Sequence, residues 1–140
     1  MSEKIHAGRT CYRVLYGDCD SMGVMYYGHY LRLFERGRAE LIRDLGLSYK
    51  ECERRGAILP VTETYCHYHR SVEYDDLVVI ETRVGEVKRA SVRFDYEIYR
   101  DGDNNEKLAE GYTRHACISP EKKIIRLPAF LQDVLAGALR

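Results

Sequence analysis

The chain has 140 residues, of which 45% are apolar and 31% charged, a balance typical of one globular domain rather than of a disordered chain. Its 22 basic and 22 acidic residues give a formal net charge of zero, and no long run of Lys or Arg predicts binding to nucleic acid or anchoring to a membrane. No apolar stretch has the length of a membrane span, and the start MSEKIHAGRT lacks the apolar core of a signal peptide.

The cysteines number five, which is odd, and no C-x-x-C pair occurs among them. Free thiols in a reducing cytoplasm are the simplest interpretation of such a set. We therefore expect a cytoplasmic protein with one domain over residues 1–140. The cysteines are Cys11, Cys19, Cys52, Cys66 and Cys117.

The first half of the chain predicts a strand, a loop and a long helix. The strand covers Cys11–Tyr16, and glycines and aspartates mark residues 17–23 as a turn or loop. A helical spacing of apolar residues starts at about His29 and ends before Gly46, a typical C-terminal cap. Gly37 lies inside the apolar stripe, where a glycine permits close approach to a sheet. The strand alternates through Tyr12, Val14 and Tyr16, and the helix stripe consists of Tyr30, Leu31, Phe34, Leu41, Ile42 and Leu45.

The second half predicts strands and one short final helix. Alternation is clearest where Val92, Phe94, Tyr96 and Ile98 oppose Arg93, Asp95, Glu97 and Tyr99. The predicted strands are Val61–Arg70, Val78–Val84, Val92–Tyr99 and Leu108–Ile118, with a turn at Asp101–Asn105 and an amphipathic helix through Phe130, Leu131, Val134, Leu135 and Leu139.

This order of elements predicts an α+β fold in which an antiparallel sheet packs against one long central helix. A single helix covers only one stripe of a curved sheet, and the outer strands leave edges that can pair with another copy. We therefore expect a homo-oligomer.

The segment from Tyr16 to Tyr30 is the most informative for chemistry because it joins an acidic loop to the start of the helix. No Ser, Thr, Asp or Asn between Val24 and Tyr30 can cap the first turn, and only Gly28 is a tolerable N-cap. Free N–H groups there can polarise a carbonyl, while a loop carboxylate attacks it or activates water. Since a thiol leaving group has a pKa of roughly 8.5, thioester cleavage needs no strong general acid.

The loop residues and the histidines also fit alternative hypotheses. A Gly/Asp turn that simply leads into a helix has the same spacing, and such turns are common. Cys19 and His29 can be combined as nucleophile and base, although no third, orienting group is evident. A zinc site is one hypothesis for His67, His69 and His115. The better explanation is that they are ordinary polar residues on a strand face, so we expect no metal.

Motifs of several well-known enzyme classes are absent from the sequence. It has no G-x-S-x-G elbow, no phosphate-binding G-x-x-x-x-G-K-[ST] loop, no G-x-G-x-x-G and no H-E-x-x-H. An EF-hand loop started at Asp18 fails, because its twelfth residue is His29 rather than Glu. We therefore expect no cofactor.

Four blocks of the sequence carry a family resemblance that extends from about Tyr12 to Ser119. They are Tyr16–Arg38, Ser71–Asp76, the hairpin around Lys88-Arg89, and Gly111–His115. These blocks resemble the hot-dog-fold acyl-CoA thioesterases related to 4-hydroxybenzoyl-CoA thioesterase and the Tol–Pal-associated thioesterase. It implies a sheet wrapped around the central helix, and homodimers or homotetramers with active sites at the subunit interface.

The resemblance also implies roles for individual residues. Asp20, the second aspartate of the D-x-D block, matches the catalytic carboxylate, and Tyr27 matches the residue whose backbone N–H binds the thioester carbonyl. Lys88 and Arg89 match the basic residues that contact the nucleotide phosphates of coenzyme A. His29 replaces a common Asn, and either contacts the substrate or Asp20 or caps the helix at the surface. Ala90 replaces a further basic residue of some relatives.

The function that this resemblance implies is hydrolysis of a short-chain or aromatic acyl-CoA to a free acid and coenzyme A. Two alternatives remain open at this point. One is a hot-dog module that binds acyl-CoA without turnover, and the second is an enoyl-CoA hydratase of the same fold.

Overall fold

The computed structural model describes residues 8–102 and 105–139. Residues 1–7, on which part of the signal-peptide expectation rests, lie outside this range, as do residues 103 and 104 of the predicted turn. The helices and strands are β1 (Arg9–Arg13), α1 (His29–Asp44), α2 (Tyr49–Arg54), β2 (Val61–Tyr68), β3 (Leu77–Val87), β4 (Ser91–Arg100), β5 (Lys107–Ala116) and α3 (Ala129–Gly137).

The strands form one antiparallel sheet in the order β1-β3-β4-β5-β2. Helix α1 packs against β1, β3 and β4, so the sheet wraps around it, and α3 packs against β3. The predicted α+β arrangement around one long helix is therefore confirmed. Of the helices in the described ranges, none is long and apolar enough to cross a membrane.

Helix α1 turns a continuous apolar stripe toward the sheet. The Phe34 ring stacks on Tyr96 of β4, with a centroid distance of 4.2 Å. Gly37 lies against β3 as predicted, since a Cβ atom there would collide with Thr82 Oγ1 and lie 2.8 Å from Ile80 Cγ2. The prediction was wrong for Leu31, which is 42% exposed, because it lies one residue off the stripe and points about 100° away from it. The buried residues of α1 are Tyr30, Leu33, Phe34, Gly37, Leu41 and Ile42.

The strands alternate between the helix-covered face and the outer face. The predicted alternation of β4 is confirmed, because Val92, Phe94, Tyr96 and Ile98 are all buried. The outer face carries ion pairs such as Arg93–Asp95 and Arg114–Glu86. One face of the sheet is thus apolar core, and the opposite face is a charged surface.

Several predicted boundaries need correction. The first strand ends at Arg13, and Tyr16 begins a short 3-10 turn over Tyr16–Asp18, where its side chain is 80% exposed. β2 ends at Tyr68 rather than Arg70, and β5 ends at Ala116 rather than Ile118.

Helix α2 was not predicted. It has only six residues, too few for a helical period to stand out. A signal was nevertheless present, since Ser48 and Glu51 have the spacing of a capping box. In the structure, the Ser48 hydroxyl accepts the Glu51 N–H at 3.0 Å.

Candidate active site

A small hairpin over residues 19–25, closed by an antiparallel bridge between Cys19 and Met25, presents Asp20 shortly before the start of α1. The Asp20 N–H donates to the Val24 carbonyl at 2.9 Å, and Gly23 closes the turn by donating to the Asp20 carbonyl at 3.0 Å. Gly23 has φ +83°, a conformation that favours glycine. One side-chain oxygen of Asp20, Oδ1, accepts the Met22 N–H at 2.8 Å, which orients the exposed carboxylate.

The same hairpin leads directly into the amino end of α1. Tyr26 donates its N–H to the Asp18 carbonyl at 2.9 Å, so the residue next to Tyr27 is tied to the loop that carries Asp20. Among the described residues, the Tyr27 and Gly28 N–H groups have no hydrogen-bond acceptor, and the Gly28 cap has no side-chain hydrogen bond. The helix start therefore lacks a side-chain cap, as expected from the sequence, but its first N–H groups are not free. His29, Tyr30 and Leu31 donate to the carbonyls three residues before them, at 2.9, 3.2 and 3.3 Å, so the two available donors lie just before α1, near the positive end of the helix dipole.

A cleft of about 280 Å³ opens beside Tyr27. The Tyr68 hydroxyl donates to the Tyr27 carbonyl at 3.2 Å, which joins β2 to the helix start. Burial raises the pKa of both Tyr30 and Tyr68 to about 12, so both phenols are neutral near pH 7. Tyrosine rings and apolar side chains thus surround space next to the free N–H groups. The residues that line this tyrosine cleft are Val24, Met25, Tyr27, Tyr30, Tyr68, His69, Arg70 and Ser71.

The loop between β2 and β3 supports the Asp20 hairpin. The Met25 N–H donates to the Val72 carbonyl at 2.6 Å. Arg100, at the end of β4, pairs with Asp76, and it donates to the Ser71 carbonyl at 3.1 Å and to Glu106 at 3.0 Å. This guanidinium therefore holds both ends of the supporting loop. No pattern in the sequence had singled out Arg100, because its partners are far apart along the chain.

Asp18, the first aspartate of the D-x-D block, is buried and has a structural role. Its Oδ2 accepts the Tyr12 hydroxyl and the Leu15 N–H, both at 2.7 Å, and the residue is only 8% exposed. Burial, reinforced by this hydrogen bond, raises the pKa of Tyr12. Asp18 thereby fixes the 3-10 turn from which the Asp20 hairpin extends.

His29 faces a different space from Tyr27. It lines a cavity of about 100 Å³ beside Tyr12, Asp18 and Arg32, and it does not line the tyrosine cleft. Its ring lies edge-on to Tyr26, with a centroid distance of 5.7 Å. The structure brings His29 near Asp18 rather than into the cleft beside Tyr27.

Lys88 and Arg89 lie together in the turn between β3 and β4, where they border a second, polar cleft of about 500 Å³. The Lys88 N–H donates to the Ser91 carbonyl at 2.8 Å, closing the turn. This cleft shares no lining residue with the tyrosine cleft.

The alternative in which Cys19 is the nucleophile and His29 its base gains no support from the structure. Burial and the nearby Asp18 and Asp20 carboxylates raise the pKa of the Cys19 thiol, which opposes formation of the thiolate nucleophile. Across the part of the chain that the structure describes, no three His, Cys, Asp or Glu side chains are grouped as metal ligands.

His115, part of the imagined zinc site, is buried in the core. Its Nδ1 is 2.9 Å from the Leu59 carbonyl, and its Nε2 is 2.8 Å from Thr113 Oγ1. Burial lowers the pKa of His115 to about 4. Both ring nitrogens are thus occupied in a neutral, structural hydrogen-bond chain.

The model of the thioesterase-like superfamily matches residues 14–137. The acyl-CoA thioesterase YbgC of Haemophilus influenzae is 33% identical over 126 residues, 89% of each chain. The putative acyl-CoA thioesterase YneP of Bacillus subtilis is 28% identical over 117 residues, which are 84% of this chain and 83% of that one.

Solved structures agree with this match. DHNA-CoA thioesterase from Staphylococcus aureus has a TM-score of 0.83 and 34% identity, covering 90% of this chain and 84% of that one. A hypothetical protein from Thermus thermophilus has a TM-score of 0.88 and 29% identity, covering 94% and 98%. The fold, the resemblance and these matches agree, and the chain therefore belongs to the thioesterase-like superfamily and has the hot-dog fold.

Proposed function

We propose that this thioesterase hydrolyses an acyl-CoA thioester to a free acid and coenzyme A, with Asp20 as the catalytic carboxylate. The observation that carries the proposal is the hairpin that joins Asp20 to the helix start, where the Tyr27 and Gly28 N–H groups lack acceptors among the described residues. Acyl-CoA thioesterases among the relatives support the choice of substrate class.

The chemistry follows from these groups. The thioester carbonyl oxygen accepts the Tyr27 N–H, which stabilises the negative charge that develops on that oxygen. The Asp20 carboxylate either attacks the carbonyl carbon or takes a proton from the water that does so. The C–S bond then breaks, and coenzyme A leaves as a thiolate that needs no strong general acid. When Asp20 is the nucleophile, the acyl group is left on its carboxylate as an anhydride, and water hydrolyses this bond to release the free acid and restore Asp20. His29, next to Asp18, is a candidate contact of the substrate beyond this centre.

The tyrosine cleft is the natural place for the acyl group. Its volume of about 280 Å³ and its aromatic walls suit a short chain or a single aromatic ring.

The position of Lys88 and Arg89 favours active sites shared between two subunits. The chain that leads to the Asp20 hairpin is hydrogen-bonded near the start of β3, where the Val14 N–H donates to the Asp76 carbonyl. The basic turn with Lys88 and Arg89 follows the opposite end of β3. Eleven residues of strand separate these points, a span of about 33 Å. The pantetheine arm has the reach of roughly four extended residues, about 14 Å, so a thioester beside Asp20 cannot place its pyrophosphate in the same subunit's basic cleft.

The open sheet edge at β2 allows the Asp20 hairpin of one subunit to be combined with the basic turn of another. Most of β2 is exposed, including Val61 and Tyr68. Tyr68 lies at the catalytic end, and Val61 lies at the basic end, since it pairs with His115 and His115 pairs with Val92. Antiparallel pairing of β2 with a second copy about a two-fold axis would therefore bring the basic turn of one subunit toward the Asp20 hairpin of its partner.

We accordingly propose a homodimer joined at β2, which can assemble further into a homotetramer. We also propose that it works in the cytoplasm, because all five cysteines are free thiols.

The test is thiol release from a panel of short-chain and aromatic acyl-CoA thioesters, with an enoyl-CoA hydration assay in parallel. We expect thiol release that Asp20→Asn nearly abolishes. Tight acyl-CoA binding without thiol release would replace the proposal with a binding module, and hydration without thiol release would replace it with a hydratase.

A further inference from the structure

The peptide group that joins Tyr27 to Gly28 is held by two hydrogen bonds to its carbonyl oxygen. The Tyr30 N–H donates to this oxygen from the first turn of α1, and the Tyr68 hydroxyl donates to it from β2, both at 3.2 Å. The nitrogen of the same peptide group belongs to Gly28, whose N–H has no acceptor among the described residues. Tyr68 is therefore bonded to one end of a peptide group whose other end is available to a substrate.

The N–H groups of Tyr27 and Gly28 face the same side. His29 donates its N–H to the Tyr26 carbonyl at 2.9 Å, so Tyr27 and Gly28 are the two central residues of a turn that continues into α1. Gly28 has φ −66° and ψ −22°, the conformation of a helix. Because the first N–H groups of a helix all point away from its carboxyl end, these two donors can bind one oxygen atom together.

The Tyr68 side chain is fixed well enough to set the position of this peptide group. Its ring meets the Tyr30 ring edge-on, with a centroid distance of 4.7 Å, and Tyr30 is only 3% exposed. Its main chain lies in the sheet, where Tyr68 pairs with Ala109 of β5. Burial raises the pKa of Tyr68 to about 12, so the hydroxyl keeps the proton that it donates. The Tyr68 hydroxyl thus links the residues before α1 to a strand that is 41 residues away along the chain.

We propose that Tyr68 is a positioning residue for the hydrolysis: its hydroxyl holds the Tyr27–Gly28 peptide so that the Gly28 N–H joins the Tyr27 N–H on the thioester carbonyl oxygen. The inference rests on the proposed thioesterase activity. The two hydrogen bonds accepted by the peptide carbonyl also polarise the peptide group, which makes its N–H a stronger donor. This donor matters most when negative charge develops on the bound oxygen, so Tyr68 acts on kcat more than on substrate binding.

The kinetic test compares wild type with Tyr68→Phe, which keeps the ring and removes only the hydroxyl, on the panel of acyl-CoA thioesters. We expect kcat to fall about tenfold with every acyl group, and KM to stay within about twofold of wild type, because the bond that orients one oxyanion donor is lost while the donor remains. Tyr65→Phe is the matched control and should behave as wild type. Tyr65 lies three residues earlier on β2, so its side chain points to the opposite face of the sheet, where its ring stacks on Tyr112.

An infrared measurement gives a readout that loss of an acyl contact would not move. The stretching frequency of an acyl-CoA isotopically labelled at the thioester carbonyl carbon is recorded when bound to Asp20→Asn and to Asp20→Asn/Tyr68→Phe. Hydrogen bonds accepted by a carbonyl oxygen lower this frequency, so we expect the bound carbonyl to be shifted downward less in the double variant than in Asp20→Asn.

Two kinetic results would overturn the proposal. The first is a kcat of Tyr68→Phe equal to that of wild type. The second is a loss that varies with the acyl group or appears as a rise in KM, which would mean that Tyr68 contacts the acyl group in the tyrosine cleft instead. If wild type hydrolyses no thioester, the proposed function fails and the infrared comparison decides on Tyr68: a smaller shift without its hydroxyl supports the positioning role, and equal shifts or no bound carbonyl signal reject it.

Discussion

Asp18 and Asp20 are two residues apart, and the fold gives their carboxylates opposite surroundings. Asp18 is buried and accepts two hydrogen bonds on one oxygen, from Tyr12 and Leu15. Asp20 is exposed and is held by a single bond from Met22. The first carboxylate thus serves the loop, and the second remains available to a substrate. The difference arises because Asp18 lies in the buried end of the 3-10 turn, whereas Asp20 lies in the exposed turn that follows it.

His115 is the residue whose ionisation should affect stability most clearly. It ends a buried hydrogen-bond chain in which Thr113 Oγ1 lies 2.8 Å from His115 and 2.6 Å from the Tyr96 hydroxyl. Protonation would make His115 Nε2 a donor, so the Thr113 hydroxyl would have to turn its proton from His115 toward Tyr96. The low pKa of His115, about 4, reflects burial first.

The folded state therefore binds a proton on His115 less readily than the unfolded chain, whose histidine has a pKa near 6.5. The stabilisation from neutral His115 is complete above pH 6.5, decreases as the pH falls, and is exhausted near pH 4. Between pH 7.5 and pH 5, we expect His115 to lower the free energy of unfolding by about 2 kcal/mol, measured by urea denaturation. The substitution His115→Gln should reduce this decrease. An unchanged decrease in His115→Gln would contradict the assignment.

At the scale of elements, the contact between α1 and β3 depends on Gly37. Because a Cβ atom at this position collides with Thr82 Oγ1 and Ile80 Cγ2, Gly37→Ala should lower the free energy of unfolding by about 1–3 kcal/mol. The measurement is urea denaturation. Gly137→Ala is the matched control: this glycine ends α3 with nothing within 4 Å, so the substitution should be neutral or slightly stabilising.

A second substitution tests the cause of that loss. Thr82 Oγ1 is buried and has no hydrogen-bond partner among the described residues, so Thr82→Ala should cost little by itself. Combined with Gly37→Ala, it should recover part of the lost stability, incompletely because Ile80 Cγ2 remains close. Strict additivity of the two changes would show that the helix and strand do not meet at this point.

Long periodic elements were predictable from the sequence, and short or irregular ones were not. Helix α1 and strand β4 repeat their apolar positions often enough to define both the element and its buried face. Helix α2 has fewer than two turns, and its Ser48 cap is the only feature of the sequence that indicated it. The end of β1 was misjudged because Tyr16 continues an alternation that the buried Asp18 interrupts.

The candidate site was predictable only in part, for a similar reason. The uncapped helix start follows from residue types between Val24 and Tyr30, which are contiguous. Assigning Asp20 rather than Asp18 required the family resemblance, since spacing does not distinguish the two carboxylates. Contacts made by Arg100 depend on segments that are distant in sequence, and no local pattern predicts them.

At the scale of the whole molecule, opposite ends of β3 carry the two halves of the proposed site. If each active site combines the Asp20 hairpin of one subunit with the basic turn of another, two defective variants can complement each other. Asp20→Asn lacks the proposed catalytic carboxylate, and the double variant Lys88→Ala/Arg89→Ala lacks the proposed phosphate contacts. In a mixed dimer, one of the two sites keeps both functions.

We therefore expect activity to return when the two variants are unfolded together, refolded and assayed at substrate concentrations below KM. With random pairing, about half the dimers are mixed and each has one intact site, so about a quarter of wild-type activity should appear. Refolded separately and then mixed briefly, the variants should show no gain. Absence of recovery after joint refolding, with mixed dimers demonstrated by mass spectrometry, would contradict shared sites.

The central claim, that the Asp20 carboxylate performs the hydrolysis, is tested most directly by kcat of Asp20→Asn with the best acyl-CoA substrate of the panel. This substitution keeps the size of the side chain and the Oδ1 acceptor for the Met22 N–H, so the hairpin should persist. We predict a loss of at least about a thousandfold in kcat with substrate binding retained, as expected for removal of a nucleophile or general base. An Asp20→Asn enzyme with a kcat within about tenfold of wild type would contradict this role of Asp20.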